Sequence, residues 1–358
     1  MNGREPRRRK FARLLEMAFA GSARLLRGAI ERLRSPFDGL NADGRRALRK
    51  VLFGDIVNVC HGLLLVALGV TKELGPATTA MVTVSVALVV YWVTYHPPVQ
   101  AIGSLWAPGL FLGLNMALNG SAFQLALRWV RVEFLQPLRF LFSAIFLTGG
   151  VVASDLRRRK FSTALWPILG LLGIWLLAAD FGDGGGGAFT EAVPDVRVFD
   201  RAVPDWALGG GVLVLSAGCG ALHNKCLERF DRSVKGQIDA LARVPALLVF
   251  ATVALTMEDA AETLVGAWPY VLICAVLAVP GSYFAGVGVV RAYEKGLRAS
   301  ARAMLSPLET LTGIVMGMLI ARVAPDVVGV LGIAMILVAA TRAAEYQSRG
   351  RGEPPGSE

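Results

Sequence analysis

Residues 127–141 read LRWVRVEFLQPLRFL, and residues 297–311, which lie 170 positions later, read LRASARAMLSPLETL. Each stretch has a Leu-Arg pair, six further residues and then the pattern Leu-x-Pro-Leu-x-x-Leu, and Phe123 and Tyr293 are aromatic residues at matching positions. A shared arginine and a shared proline are a more specific match than leucines alone, so the two stretches indicate an internal repeat. Pro137 and Pro307 are predicted to break two equivalent helices and to free backbone carbonyl groups toward a cavity.

The composition is that of a membrane protein. Of the 358 residues, 54% are hydrophobic and only 18% are charged, and the mean hydropathy is +0.53. Soluble domains are about one quarter charged. The apolar residues also occur in runs of about twenty, which is long enough for a helix to cross about 30 Å of hydrocarbon.

Ten of these runs are predicted to form transmembrane helices, at residues 51–71, 77–95, 105–127, 131–153, 162–180, 206–226, 236–257, 267–290, 299–321 and 325–344. A repeat of five helices is odd in number, so the second copy must cross the bilayer in the opposite direction to the first. We therefore predict an all-α membrane protein with ten transmembrane helices, built as two inverted five-helix repeats at 51–180 and 206–344. This plan is typical of secondary transporters, whose substrate site lies near the midplane between the halves.

The charged residues predict the orientation. Basic residues are dense in an N-terminal arm, 1–50, and in the connections at 157–160, 229–235 and 291–302, which the positive-inside rule places in the cytoplasm. The glycine-rich, mostly acidic stretch 181–205 is predicted to be a flexible outer loop, and 345–358 a cytoplasmic tail. We expect a multi-pass protein of the inner (plasma) membrane with both termini cytoplasmic. The arm is predicted to be either a basic amphipathic helix on the membrane surface or a solvated tail.

Several short motifs resemble those of the EamA-type drug/metabolite transporter (DMT) superfamily, and the threonine/homoserine-exporter branch is the most similar. The resemblance covers about residues 51–344. It rests on Gly113-Leu114-Asn115, Leu172-Gly173-Ile174-Trp175, and the run from Leu297-Arg298 through Ser306-Pro307 to Gly313 and Gly317. It implies ten helices, cytoplasmic termini, and export or exchange of small metabolites, often amino acids, driven by an ion gradient.

Arg139 and Glu309 are the leading candidates for substrate-binding residues. Ionisable groups inside a membrane are costly and often functional, and these two lie at equivalent repeat positions, each two residues after its proline. Arg139 is predicted to bind a substrate carboxylate, and Glu309 to bind an ammonium group or a proton. The alternative is that the two neutralise each other as a buried pair.

His61 in the first predicted helix is a second candidate for proton coupling, since imidazole titrates near neutral pH. The alternative is a neutral histidine that bonds to a neighbouring helix. Asn115, Asn119 and Gln124 in the third predicted helix either line the substrate cavity or bridge helices, and Asn115 and Asn119 are predicted to bind substrate.

The remaining polar residues are given structural interpretations. Asp239 and Arg243 are four residues apart, which predicts an ion pair on one helix without a functional role. His223 and Asn224 lie near the inner end of the sixth predicted helix, and no role is predicted for either. The four cysteines, each inside an apolar run, are predicted to be packing residues rather than disulfide or metal-site residues.

The sequence therefore predicts a transporter rather than an enzyme, because it has no HExxH or GxSxG motif and no histidine and carboxylate cluster at metal-ligand spacing. The expected partners are a small-molecule substrate, a proton or other ion gradient and membrane lipid. No cofactor, metal or nucleic acid is expected, and a homodimer is allowed. A flippase for lipids or lipid head groups with the same architecture is the alternative function.

Overall fold

A computed structural model describes residues 42–97, 99–126, 138–139, 141–143, 145–146, 156–157, 165–180, 197–198, 201–202, 205–295, 306–321 and 325–349. Residues 1–46 and 47–358 form two compact units, and the packing discussed below is that of the second. The predicted helix-breaking Pro137, most of the predicted fourth span and most of the basic arm lie outside the described residues.

Helices dominate the described residues. They are α1 (Ala42–Ala67), α2 (Val70–Leu74), α3 (Pro76–Tyr95), α4 (Val99–Ala126), α5 (Leu165–Asp180), α6 (Asp205–Arg229), α7 (Lys235–Met257), α8 (Ala260–Gly266), α9 (Trp268–Pro280), a π-helix (Gly281–Val287), α10 (Gly288–Glu294), α11 (Ser306–Ala321) and α12 (Val327–Arg349). Within the predicted outer loop, β1 (Arg197–Val198) and β2 (Arg201–Ala202) form a short antiparallel hairpin.

Four helical segments of the described chain are long and apolar enough to cross a membrane. They are Arg49–Ala67, Pro76–Tyr95, Lys235–Met257 and Trp268–Glu294. Hydrocarbon offers no hydrogen-bond partners to the backbone, whereas a helix pairs its own N–H and C=O groups. Apolar runs of this length therefore form helices in a bilayer. The predicted class, an all-α membrane-embedded protein, is confirmed.

The outer surface of these segments is apolar. On α3, Val89 and Val93 are 62% and 64% exposed and lie one turn apart. Leu248 and Leu255 on α7, like Val276 on α9, are also exposed. Exposed apolar surface on this scale indicates contact with lipid.

Helix packing depends on glycines at the crossing points. A Cβ atom added to Gly113 of α4 would overlap the carbonyl oxygen of Ala242 and the ring of Pro245 on α7. A Cβ atom on Gly173 of α5 would lie 2.7 Å from the carbonyl oxygen of Gly332 on α12. Small residues let helix backbones approach closely, and this close packing replaces the hydrophobic driving force that lipid cannot supply.

The connection from α1 to α3 reverses the chain within a few residues. Gly69 and Gly75 adopt φ angles of +72° and +79°, in the region that favours glycine. The first backbone N–H groups of α3 are capped by Glu258, the residue that follows α7: Ala77 N donates to Glu258 Oε1 at 2.9 Å and Thr78 N to Glu258 Oε2 at 2.7 Å. A carboxylate at a helix N-terminus satisfies unpaired donors and complements the helix dipole.

We predict that Gly113→Ala separates α4 from α7, because the added methyl group has no room in the crossing. Overpacking of this kind costs about 1–3 kcal/mol, which should appear as a lower Tm in detergent micelles. Gly103→Ala is the matched control, since a Cβ atom at Gly103 meets nothing within 4 Å. Equal Tm values for the two variants would contradict the packing described here.

Glu258→Ala should lower the stability by about 1 kcal/mol, the typical contribution of a helix N-cap, because the first donors of α3 lose their acceptor. Glu262→Ala is the control, since that side chain is exposed. Urea titration of both variants in detergent measures the difference. A Glu258 variant as stable as the Glu262 variant would show that the cap does not contribute.

Candidate functional site

A cavity of about 300 Å³ lies among α1, α2, α3, α4, α7 and the helical residue Arg139. It is lined by Asn58, His61, Gly62, Leu65, Val66, Thr71, Ala80, Thr83, Val84, Met116, Asn119, Gly120, Phe123, Gln124, Arg139 and Phe250. The predicted substrate-binding residues Arg139 and Asn119 and the predicted proton-coupling residue His61 therefore meet at one place. Gln124 also lines the cavity. So does Asn58, which the sequence analysis did not identify as a site residue.

Two polar atoms in the cavity wall lack hydrogen-bond partners within the described part of the chain. They are Nε2 of His61 and Oε1 of Gln124, and both atoms are buried. An unsatisfied buried polar group costs about 1–3 kcal/mol, and native structures keep few of them. Both side chains line the cavity, so they are candidates for hydrogen bonds to a molecule inside it once either side chain rotates.

Arg139 is positioned by residues of α4. Its Nη2 donates to Oδ1 of Asn119 at 3.5 Å, and its guanidinium carbon lies 4.8 Å from the centre of the Phe123 ring. The same Asn119 oxygen accepts a hydrogen bond from the Ser216 hydroxyl of α6 at 2.7 Å. Asn119 thus connects the cavity arginine to α6, and the aromatic face stabilises the cation.

His61 packs against the π-helix. A Cβ atom at Gly281, the first residue of that helix, would lie 3.3 Å from Nδ1 of His61. Two turns away on α1, a Cβ atom at Gly54 would overlap the backbone carbonyl of Phe284. Short π-helical turns occur frequently at functional sites, and this one forms the surface behind the cavity histidine.

Two other predicted site residues lie elsewhere. Asn115 is buried and donates from Nδ2 to the Cys219 carbonyl of α6 at 2.9 Å, which is the bridging arrangement, and it does not line this cavity. Glu309 is buried in the first turn of α11 and is not among the cavity-lining residues. Pro307 is the second residue of α11.

A second polar cluster was not predicted as a site. Asp239 of α7 is 2% exposed, and its two carboxylate oxygens face different bases: Oδ1 lies 3.3 Å from Nε2 of His223, and Oδ2 lies 3.3 Å from Nη1 of Arg243. The Arg243 guanidinium carbon lies 3.4 Å from the centre of the Tyr91 ring of α3. The i,i+4 spacing revealed the Asp239–Arg243 pair, but no sequence signal brought in His223 or Tyr91.

Comparison with known proteins adds no assignment: no protein-family model matches the chain, and none of the curated proteins compared with it matches. Within the described residues, no group of three or more His, Cys, Asp or Glu side chains could hold a metal ion. The polar side chains that line the cavity include an arginine, an imidazole and amides, which recognise carboxylates and hydrogen-bonding groups.

We predict that the cavity is open to water. In a background with its four cysteines changed to alanine, Asn58→Cys should react rapidly with a membrane-impermeant maleimide, because Asn58 is an exposed residue of the cavity wall. Leu63→Cys, buried on the same helix, and Val89→Cys, exposed on the apolar outer surface, should react at least about tenfold more slowly. Equal rates at the three positions would argue against a water-filled cavity.

Proposed function

We propose that this protein is a secondary transporter that exports or exchanges small metabolites by alternating access, with amino acids or similar zwitterions as its substrates. The observation that carries the proposal is the cavity among apolar helices, where His61 and Gln124 have unpaired polar atoms beside Arg139. Polar groups inside a membrane protein are expensive and mark substrate pathways. We propose no enzymatic reaction, since the cavity groups bind and orient rather than form a nucleophile and base pair.

We further propose ten spans in two inverted repeats, in the inner membrane, with both termini cytoplasmic. Six helix contacts among the described residues support this arrangement, because exchange of the two halves turns each of them into itself or into another of the six. The second and seventh predicted spans, α3 and α7, pack together, as do the fifth and tenth, α5 and α12. These two pairs map onto themselves under the exchange.

The other contacts come in matched pairs. The third predicted span (α4) packs on the sixth (α6). Its counterpart is the contact of the eighth span with the first, where Phe284 of the π-helix meets Gly54 of α1. The third predicted span (α4) also packs on the seventh (α7). Its counterpart is the contact of the eighth span (α9) with the second (α3). Two related halves can exchange conformations and open one cavity to either side of the membrane in turn.

The size and polarity of the cavity favour a small solute over a lipid. Small-molecule sites usually measure about 300–1,000 Å³, and this cavity lies at the lower end. Arg139 suits a carboxylate, because guanidinium and carboxylate groups can form two parallel hydrogen bonds. Asn58 and Gln124 supply amide oxygens that can accept hydrogen bonds from an ammonium group. The flippase alternative is therefore the weaker proposal.

Transport is proposed to use a proton or other ion gradient, and His61 and Glu309 are the proton-coupling residues that the sequence indicates. The structure separates them: His61 is in the cavity wall and Glu309 is not. The position of His61 in the cavity wall suits hydrogen bonding to the substrate, and this role does not require His61 to carry the coupled proton.

Arg139→Ala should abolish or strongly weaken uptake of the substrate into proteoliposomes. Loss of hydrogen bonds to a charged group costs about 1.5–3 kcal/mol, which corresponds to a rise in KM of about 10- to 150-fold. Arg139→Lys should keep part of the affinity, since it retains the charge without the planar fork. Substrates are found first by screening overexpressing cells for resistance to toxic amino-acid analogues.

Arg157→Ala provides the control, because that arginine is exposed and is not part of the cavity wall. Wild-type uptake by the Arg139→Ala protein would refute the assigned carboxylate-binding role. Failure of every amino-acid analogue, together with transport of a fluorescent phospholipid between leaflets, would instead favour the flippase.

A further inference from the structure

His223, Asp239 and Arg243 form a cluster of two basic residues and one acidic residue, and water is largely excluded from its aspartate and its arginine. Asp239 and Arg243 side chains are 3% and 9% exposed. One carboxylate oxygen faces each base at 3.3 Å. The aspartate charge is needed to balance the arginine, since an unpaired charge at this depth would be strongly unfavourable. With neutral histidine the three side chains carry no net charge.

Two tyrosines of α3 lie beside the cluster. The Tyr91 ring covers the Arg243 guanidinium, whose carbon lies 3.4 Å from the ring centre. Tyr95, one turn further along α3, also lies close to both charges, and beyond it are Glu294 and Arg291 of α10. Among the described residues, His223 is the histidine that faces Asp239, with its Nε2 3.3 Å from Oδ1.

Solvent can reach the histidine but hardly the other two. The His223 side chain is 19% exposed, against 3% for Asp239. Because α6 ends six residues after His223, at Arg229, a proton that arrives from water at this end of the helix can reach the histidine without exposing the buried pair. Once both imidazole nitrogens carry protons, His223 becomes a cation that competes with Arg243 for the same carboxylate.

The cluster also touches the cavity. Nη1 of Arg243 lies 3.9 Å from the sulfur of Met116, and Met116 lines the cavity. The π-helix contacts both places, because Gly281 packs against His61 and a Cβ atom at Gly286 would overlap the Tyr91 hydroxyl. A change in how Arg243 is held would therefore reach the cavity wall directly through Met116 and indirectly through Tyr91 and the π-helix.

We propose that His223, Asp239 and Arg243 form the proton-binding site of the transporter, distinct from the substrate cavity. His223 takes a proton from water and donates an N–H to Oδ1 of Asp239. Arg243 is then held less tightly by that carboxylate and can move toward Met116 and the cavity. This inference rests on the proposed transport function, and it assigns proton coupling to a different group from His61 and Glu309.

The first test measures proton binding without transport. The chain has three histidines, His61, His96 and His223, so protein labelled with ¹⁵N and ¹³C at histidine has three sets of ring resonances in nanodiscs, assigned with His→Gln variants. We expect the His223 set to titrate between pH 5 and 8. In Asp239→Asn the imidazolium loses the carboxylate that accepts its N–H, so the pH response of the His223 set should differ from that of the wild type.

His96, which is exposed, is the internal control. Its titration should be the same in the wild type and in Asp239→Asn. A His223 resonance that does not change between pH 5 and 9 would overturn the proposal, and the wild-type protein alone provides this result even if the Asp239 variant does not fold.

The second test separates coupling from transport in proteoliposomes. With equal pH on both sides, His223→Gln should exchange labelled for unlabelled substrate at a rate within about twofold of the wild-type rate. With a pH gradient, its accumulation of substrate should fall to the level seen without a gradient. His96→Gln should keep both activities. Gradient-driven accumulation by His223→Gln, or its loss only in Glu309→Gln or His61→Gln, would overturn the assignment. Absence of exchange by the wild type would instead refute the transporter function itself.

Discussion

Hydrocarbon supplies no hydrogen-bond partners, and the structure of this protein follows from that constraint. Backbone groups inside the bilayer must be satisfied within the chain, which is why the apolar runs are helical. Helix ends need partners as well. Glu258, the residue that follows α7, supplies two acceptor oxygens to the start of α3, and Lys235 donates to the carbonyl groups of Leu227 and Glu228 near the end of α6. Charged side chains at these positions therefore join one helix to the next.

The same constraint gives meaning to the polar atoms that are not satisfied. In a chain that provides a carboxylate for the first donors of α3, unpaired buried atoms of His61 and Gln124 in one cavity wall are exceptions that need a ligand or water. Asn115 illustrates the contrast, because its amide is fully engaged as a bridge to the Cys219 carbonyl. Asn119, one turn further along α4, holds Arg139 at the cavity instead.

The cavity and the buried ion cluster are two consequences of the way α7 is packed. The glycines of α4 bring α7 so close that Ala242 and Pro245 contact Gly113. This approach places Phe250 in the cavity wall and Arg243 beside Met116. Because α7 and the π-helix each contact both places, a rearrangement at the ion cluster has a short physical route to the cavity. The contacts are discrete packed surfaces, which are suited to switching between two arrangements rather than deforming gradually.

The sequence by itself determined the class of protein, because the length and apolarity of a run decide whether one helix can span a bilayer, whatever surrounds it. It also determined the Asp239–Arg243 pair, since two residues four apart on one helix are neighbours in any fold. It placed His61, Asn119 and Arg139 among the candidates because polar groups stand out in apolar helices. Only the tertiary structure decided which of them meet.

That decision depends on how each helix is rotated and how closely it crosses its neighbours, and both depend on residues far apart in the chain. Asn115 and Asn119 lie on the same helix, yet one bonds to Cys219 and the other lines the cavity. Tyr91 contacts Arg243 and His223 contacts Asp239, each from a different helix. Spacing along one helix carries no information about such contacts, because they arise from the packing of surfaces that only the folded chain brings together.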